Sequence, residues 1–149
     1  MYLIRKIGIV GTGMLGNAVG LHLLQSGFNL TVYNRTKEKT NELENKGAKI
    51  VNSPKEVAEN SELIIIIVKD AEAVKEISFG DNGILKGKHV GLTVADMSTI
   101  SPLESKNITK IFSEHKIMKL DTPVIGGPNL AILGELVLIA SGDKETFDK

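Results

Sequence analysis

The stretch that most restricts how this chain can fold is KIGIVGTGMLGNAVG, residues 6–20. A short β-prone run leads into three glycines spaced Gly11-x-Gly13-x-x-Gly16, and a helical apolar pattern begins inside the glycine motif. In a strand–turn–helix of this order the first glycine permits the tight turn and the second lets backbone approach an anion. The third lets the helix pack closely on the strand. Unpaired N–H groups and the helix dipole then face a diphosphate. The alternative is a plain turn without a ligand, but a plain turn needs one glycine, not three so spaced. The motif therefore reads as a dinucleotide cradle of Gly11, Gly13, Met14, Leu15 and Gly16.

The rest of the chain alternates in the same way, which argues for an α/β domain with a doubly wound, mainly parallel sheet. Strands are expected over 6–10, 30–33, 48–51, 63–68, 92–97, 117–120 and 135–140. The run LIIIIV (63–68) is too short for an independent helix and rich in β-branched residues, as a central strand buried on both faces requires. Helices are expected over 14–26, 37–46, from Ser53, over 71–77, from Ser101 to about His115, and from Asp143 to the end. Ser53-Pro54-x-Glu56 and Ser101-Pro102-x-Glu104 each combine a capping hydroxyl, a proline at the first helical position and a capping-box glutamate. FGDNGILKGKHVG (79–91) and DTPVIGGPN (121–129) read as turn-rich links. No linker or repeat divides residues 1–149, so they read as one domain.

The segment LTVYNRTKEKT (30–40) narrows the ligand. About 20 residues beyond the glycines a carboxylate is expected to grip the adenosine ribose hydroxyls. This chain has Asn34-Arg35-Thr36 there. A neutral Asn34 removes the repulsion toward a 2′-phosphate, and Arg35 offers a fork matched to phosphate oxygens. Thr36 adds a hydroxyl, and Lys39 a second cation one turn on. The expected cofactor is NADP(H) in preference to NAD(H); the alternative is that both cations merely decorate an exposed helix.

Composition limits the function classes. With 18 basic and 18 acidic residues there is no net field to draw the chain to nucleic acid or an anionic membrane. No apolar run approaches the roughly 20 residues that cross a bilayer. The start MYLIRKIGIV shows no small-residue cleavage site and reads as leaderless. The absence of cysteine fits a reducing, cytoplasmic setting. No metal-ligand cluster emerges. His22 on the apolar side of the first helix reads as a packed histidine, and His89 and His115 read as turn and helix-end residues.

Taken together, GIVGTGMLG, VYNRTKEK, VADMSTISP and DTPVIGGPNLAILGELVLIASGD resemble the β-hydroxyacid dehydrogenase family. This group comprises 3-hydroxyisobutyrate dehydrogenases, tartronate semialdehyde reductases and glyoxylate/succinic semialdehyde reductases, and is related to 6-phosphogluconate dehydrogenase. The resemblance implies a Rossmann-type NADP-binding domain of an oxidoreductase that moves hydride between NADPH and a small hydroxy or oxo acid. It places Val68, Lys69, Asp70 and Val74 beside the adenosine and pyrophosphate, and Thr99 of Asp96-Met97-Ser98-Thr99 near the nicotinamide ribose. It matches the substrate loop to residues 121–127, where Ile125 stands in place of the family's carboxylate-binding serine, leaving the amides of Gly126 and Gly127.

The family's catalytic lysine lies on a helix of a C-terminal helical domain, in a Lys-x-x-Asn-type motif that residues 1–149 do not contain. No catalytic residue is therefore expected in this chain, which reads as a domain truncated at its C-terminal end. An apolar edge left by the missing domain is expected to favour a homo-oligomer. Two further readings stay open: a non-catalytic NADPH-sensing module, and an imine reductase-like enzyme whose substrate needs no carboxylate clamp.

Overall fold

The computed structural model describes residues 3–149; Met1 and Tyr2, the first part of the run read as leaderless, lie outside the described residues. Strands β1 (Lys6–Val10), β2 (Asn29–Tyr33), β3 (Lys49–Ile50), β4 (Leu63–Ile66), β5 (Thr93–Asp96) and β6 (Met118–Asp121) form one six-stranded sheet. All its pairings are parallel, in the order β3-β2-β1-β4-β5-β6. The order reverses between β1 and β4, so the carboxyl ends of these two strands open a crevice where α/β folds bind ligands.

The helices are α1 (Met14–Gln25), α2 (Asn41–Asn45), α3 (Pro54–Glu59), α4 (Ala71–Phe79), α5 (Pro102–Glu114), α6 (Pro128–Leu133) and α7 (Lys144–Phe147). They cover both faces of the sheet, as the hydrophobic run 63–68 demands. Ile64 and Ile66 join Val10, Val94, Ile108 and Phe112 in one core beneath α3, α4 and α5. Ile65 points the other way, into a core with Ile9, Val32, Leu43 and Ala131 beneath α1, α2 and α6. The alternation follows from the pleat: successive side chains of a strand leave on opposite faces.

Local signals act as read from the sequence. The Ser53 hydroxyl accepts from the Glu56 N–H and donates to its carboxylate, and Ser101 does the same with Glu104. Each box closes on the serine hydroxyl, with the Glu56 carboxylate also reaching the Asn52 N–H. Helix α5 ends at a residue no glycine marks. Lys116 adopts φ +60°, and Ile117 N–H reaches back to the Phe112 carbonyl, closing the helix as an αL cap usually does with glycine.

Three expectations are corrected. The helix over 37–46 is a 3-10 turn, Lys37–Thr40, followed by the short α2. The buried Thr40 hydroxyl donates to the Lys37 carbonyl, an intrusion into the backbone ladder that short β-branched side chains make readily. The link 121–129 is not only a turn: it contains β7 (Val124–Ile125) and the start of α6. The strand over 135–140 shrinks to β8 (Val137–Leu138), which pairs antiparallel with β7 outside the main sheet. Only Leu136 of this run packs against the core; Val137, Leu138 and Ile139 are each more than half exposed, as are Leu133 and Phe147.

Two outcomes follow from this packing. Phe112 is fully buried and tilted against Phe79, with ring centroids 5.2 Å apart. Phe112→Ala is expected to lower unfolding free energy by about 3–5 kcal/mol, read from the urea midpoint. The apolar surface of β8, α6 and α7 is expected to make the 149-residue chain self-associate at high concentration. Light scattering that shows a monomer throughout would contradict this.

Candidate functional site

The glycine turn is held by backbone approaches that no side chain could occupy. Gly11 has φ +103°, and a Cβ there would stand 2.0 Å from the Ile67 carbonyl oxygen; one on Gly16 would stand 2.0 Å from the Gly11 carbonyl oxygen. Gly13 differs, since a Cβ on it would meet nothing within 4 Å. Packing does not require Gly13 to be bare; its bareness keeps open the space in front of α1. Gly13 is the N-cap of that helix, with no side-chain cap and no acidic residue in the first turn. By contrast α3, α4, α5 and α7 are capped by Ser53, Asp70, Ser101 and Asp143. The first-turn donors of α1 and its dipole are thus left for an external anion, which is how a diphosphate would fit these residues.

A cleft of about 500 Å³ runs from this turn along the ends of β1, β2 and β4. It gathers the glycine turn with Met14 and Leu15, the triplet Asn34-Arg35-Thr36, Lys39, Val68 and Lys69. Arg35 and Lys39 are exposed and have no ion pair among the described residues. Asn34 has a role the sequence did not reveal. Its Oδ1 accepts from the Thr12 N–H at 2.9 Å and its Nδ2 donates to the Thr36 carbonyl at 2.8 Å. The amide braces the glycine turn against the 34–36 loop, and an aspartate could not donate to that carbonyl.

The remaining expected contacts separate. Asp70 lies outside the cleft lining and caps α4, accepting from the Ala73 N–H at 2.8 Å. That hydrogen bond, with Lys69 nearby, holds its carboxyl below the ordinary carboxylate range. Val74 is fully buried in the α3–α5 core, so its side chain has no face left for a ligand. Thr99 lines a different cleft, of about 310 Å³, with Ser105, Asp121 and Pro123. Tyr33, Ile77 and Pro128 line the main cleft and were missed. Tyr33 had a signal, because it is the last residue of a strand at the carboxyl edge of the sheet.

Pro128 also ties the 121–127 loop to the cleft of about 500 Å³. Gly126 (φ +127°) and Gly127 lead into α6, whose N-cap Gly127 makes no side-chain cap bond. A Cβ on Gly127 would meet nothing within 4 Å, so the space beside it is open, as it is beside Gly13. Ile125 is 60% exposed and offers only an apolar surface next to the two glycines.

The histidines are committed elsewhere. His22 Nδ1 lies 3.0 Å from the Ile132 carbonyl, His89 Nε2 is within reach of the Ala58 and Ser61 carbonyls, and His115 Nδ1 faces Lys88. No group of three metal-ligating side chains occurs among the described residues, and none of their helices is long and apolar enough to cross a membrane.

Comparison with known proteins fits this geometry. Residues 6–149 match the family model described as the NAD binding domain of 6-phosphogluconate dehydrogenase, and the chain belongs to that family. It is 34% identical over 144 residues to a probable mitochondrial 3-hydroxyisobutyrate dehydrogenase of Dictyostelium discoideum, covering 97% of this chain and 45% of the relative. It is 35% identical to the 2-hydroxy-3-oxopropionate reductase of Escherichia coli, covering 97% and 49%. Among solved structures, Psf3 in complex with NADP+ and 2-OPP superimposes with a TM-score of 0.91 at 29% identity, over 95% of this chain and 50% of that one. The chain spans about half the length of the relatives it matches. The resemblance to 3-hydroxyisobutyrate dehydrogenases and the expected NAD(P)-binding Rossmann fold are borne out.

The two outer glycines and the middle one should part company on substitution. Gly16→Ala is expected to cost roughly 1–3 kcal/mol of stability, because backbone must move. Gly13→Ala should leave stability within about 0.5 kcal/mol yet weaken dinucleotide binding in calorimetry. Unchanged binding by Gly13→Ala would show that the open space before α1 is not the anion site.

Proposed function

We propose, from this family membership and the geometry of the cleft, that the chain is the NADP(H)-binding unit of an oxidoreductase acting on a small hydroxy or oxo acid. The carrying observation is the pair Arg35 and Lys39, cations without an ion pair among the described residues, on the cleft that ends at the uncapped start of α1. The glycine turn would hold the diphosphate, and Arg35, Thr36 and Lys39 a 2′-phosphate on the adenine-side ribose. Val68 and Lys69 would flank the adenosine. Thr99 would serve the nicotinamide ribose, and the amides of Gly126 and Gly127 the substrate. When bound, the coenzyme supplies or accepts hydride. An acid–base group must handle the alcohol or carbonyl proton in step, and the committed histidines do not offer one, so this reading draws it from outside residues 1–149. A cysteine-free chain suits the reducing cytoplasm.

Ile125 favours a second reading, an imine reductase-like activity. A side chain that donates no hydrogen bond suits a substrate without a carboxylate, and a protein comprising this domain that reduces imines but not oxo acids would decide for it.

The coenzyme assignment is tested by titrating the 149-residue chain with NADPH and NADH. Arg35→Ala is expected to weaken NADPH by about 1.5–3 kcal/mol, the size of a lost charged hydrogen bond, and to leave NADH nearly unchanged. Equal losses for both would refute the phosphate contact.

A further inference from the structure

One charged side chain in the interior belongs to none of the roles above. Lys119, on β6, has a fully buried side chain, surrounded by Asp96 of β5, Asp121 of β6 and Ser105 of α5. Its Nζ is 3.6 Å from Asp96 Oδ2, donates to Asp121 Oδ1, and lies 3.4 Å from the Ser105 hydroxyl. The Ser105 hydroxyl itself donates to Asp121 Oδ1. The strand register makes this inevitable. Asp96 and Asp121 are directly opposed across β5 and β6, and residues 119 and 121 share one face of β6. Two carboxylates so placed repel unless a cation stands between them.

The cluster continues outward in both directions. Asp96 Oδ1 accepts from the Ser98 N–H at 2.9 Å, and the Ser98 hydroxyl accepts from the Val68 N–H at 3.0 Å. The Asp96 carbonyl accepts from the Thr122 N–H at 2.8 Å, and Asp121 exchanges two backbone bonds with Ser141. One unbroken chain of polar contacts therefore joins the exits of β4, β5 and β6. Those exits carry Val68-Lys69, Ser98-Thr99 and the 121–127 loop. A wholly apolar cluster in place of Asp96, Lys119 and Asp121 could fill the same volume at little net cost, since buried ion pairs contribute weakly to stability. What it could not do is hold the three exits in register.

We propose that Lys119 is a positioning residue: its ammonium, shared between Asp96 and Asp121, fixes the Ser98–Thr99 loop and the 121–127 loop relative to the glycine turn. What those loops serve rests on the coenzyme reading above, so two separate measurements are needed. The first is amide hydrogen exchange without ligand, comparing the 149-residue chain with Lys119→Met. Exchange at Val68, Ser98 and Thr122 should accelerate by roughly tenfold or more, while Ile9 and Ile64 in the sheet centre stay protected. The second is affinity for NADPH against 2′-phospho-ADP, which keeps the diphosphate but lacks the nicotinamide and its ribose. The variant should lose at least about tenfold for NADPH and less than about twofold for 2′-phospho-ADP.

Uniform loss of protection that includes Ile9 and Ile64, or none anywhere, overturns the positioning role, as does equal weakening of both ligands. If the unsubstituted chain binds neither ligand, the coenzyme reading fails and the exchange result still judges the clamp. Should Lys119→Met show no cooperative unfolding, Asp121→Asn replaces it. That site is one-third exposed and keeps the Lys119–Asp96 contact, so the chain should fold and show the same pattern at smaller amplitude. A pattern like that of the unsubstituted chain would overturn the proposal.

Discussion

The structure depends on two backbone contacts at the end of β1. Gly11 sits against the Ile67 carbonyl and Gly16 against the Gly11 carbonyl, each so near that a single carbon would stand 2.0 Å from oxygen. These approaches set how closely α1 lies on the sheet and where its first turn emerges. They also tie the exit of β4 to the exit of β1, the two strands between which the order reverses. A side chain at either position would push the helix start away from the crevice. The fold can place unpaired N–H donors at the carboxyl edge only because these two residues have no side chain.

From that edge the cleft is built of unlike parts. At one end the donors of α1 are fixed by backbone and cannot be tuned by a side-chain change. At the other, Arg35 in the bend after β2 and Lys39 on the 3-10 turn are long, exposed side chains, free to reach or to be replaced. Asn34 connects the two, since it bonds both Thr12 in the glycine turn and Thr36. Under the function proposed above, diphosphate binding would thereby be a property of the fold, whereas discrimination between the two nicotinamide coenzymes would rest on a few surface residues. An amide at 34 suits both tasks: it removes a negative charge and supplies the donor that the Thr36 carbonyl requires.

Legibility in the sequence followed how local the cause was. β1 was read with its observed bounds, and the caps at Ser53 and Ser101 formed as expected, because strand period and capping act over a few residues. The main cleft was largely legible for the same reason, its glycines and the 34–36 triplet being contiguous motifs. Val74 was not, since helical spacing from Asp70 turns it into the core. The run 135–140 misled because a continuous apolar, β-prone segment shows that it will pair, not with which strand; its partner is the two-residue β7. Lys119 was invisible in principle. One lysine in KIMKLD looks like any exposed strand residue until β5 supplies Asp96 directly opposite Asp121.

That contrast bears on how such a domain can change ligand and keep its architecture. The glycine contacts admit a side chain only by displacing backbone, and the Lys119 cluster admits few substitutions, because removing one member leaves a buried carboxylate or ammonium unpaired, at a cost of several kcal/mol. Ile125 is different. It is well exposed on a two-stranded ribbon that the main sheet does not need, beside amides that stay in place whatever the side chain. Exchanging a hydroxyl for a branched alkyl there alters what the loop attracts and leaves its backbone donors untouched. Under the proposed function, the residue on which substrate chemistry would turn is thus among the least constrained by folding, and the residues that would aim it are among the most.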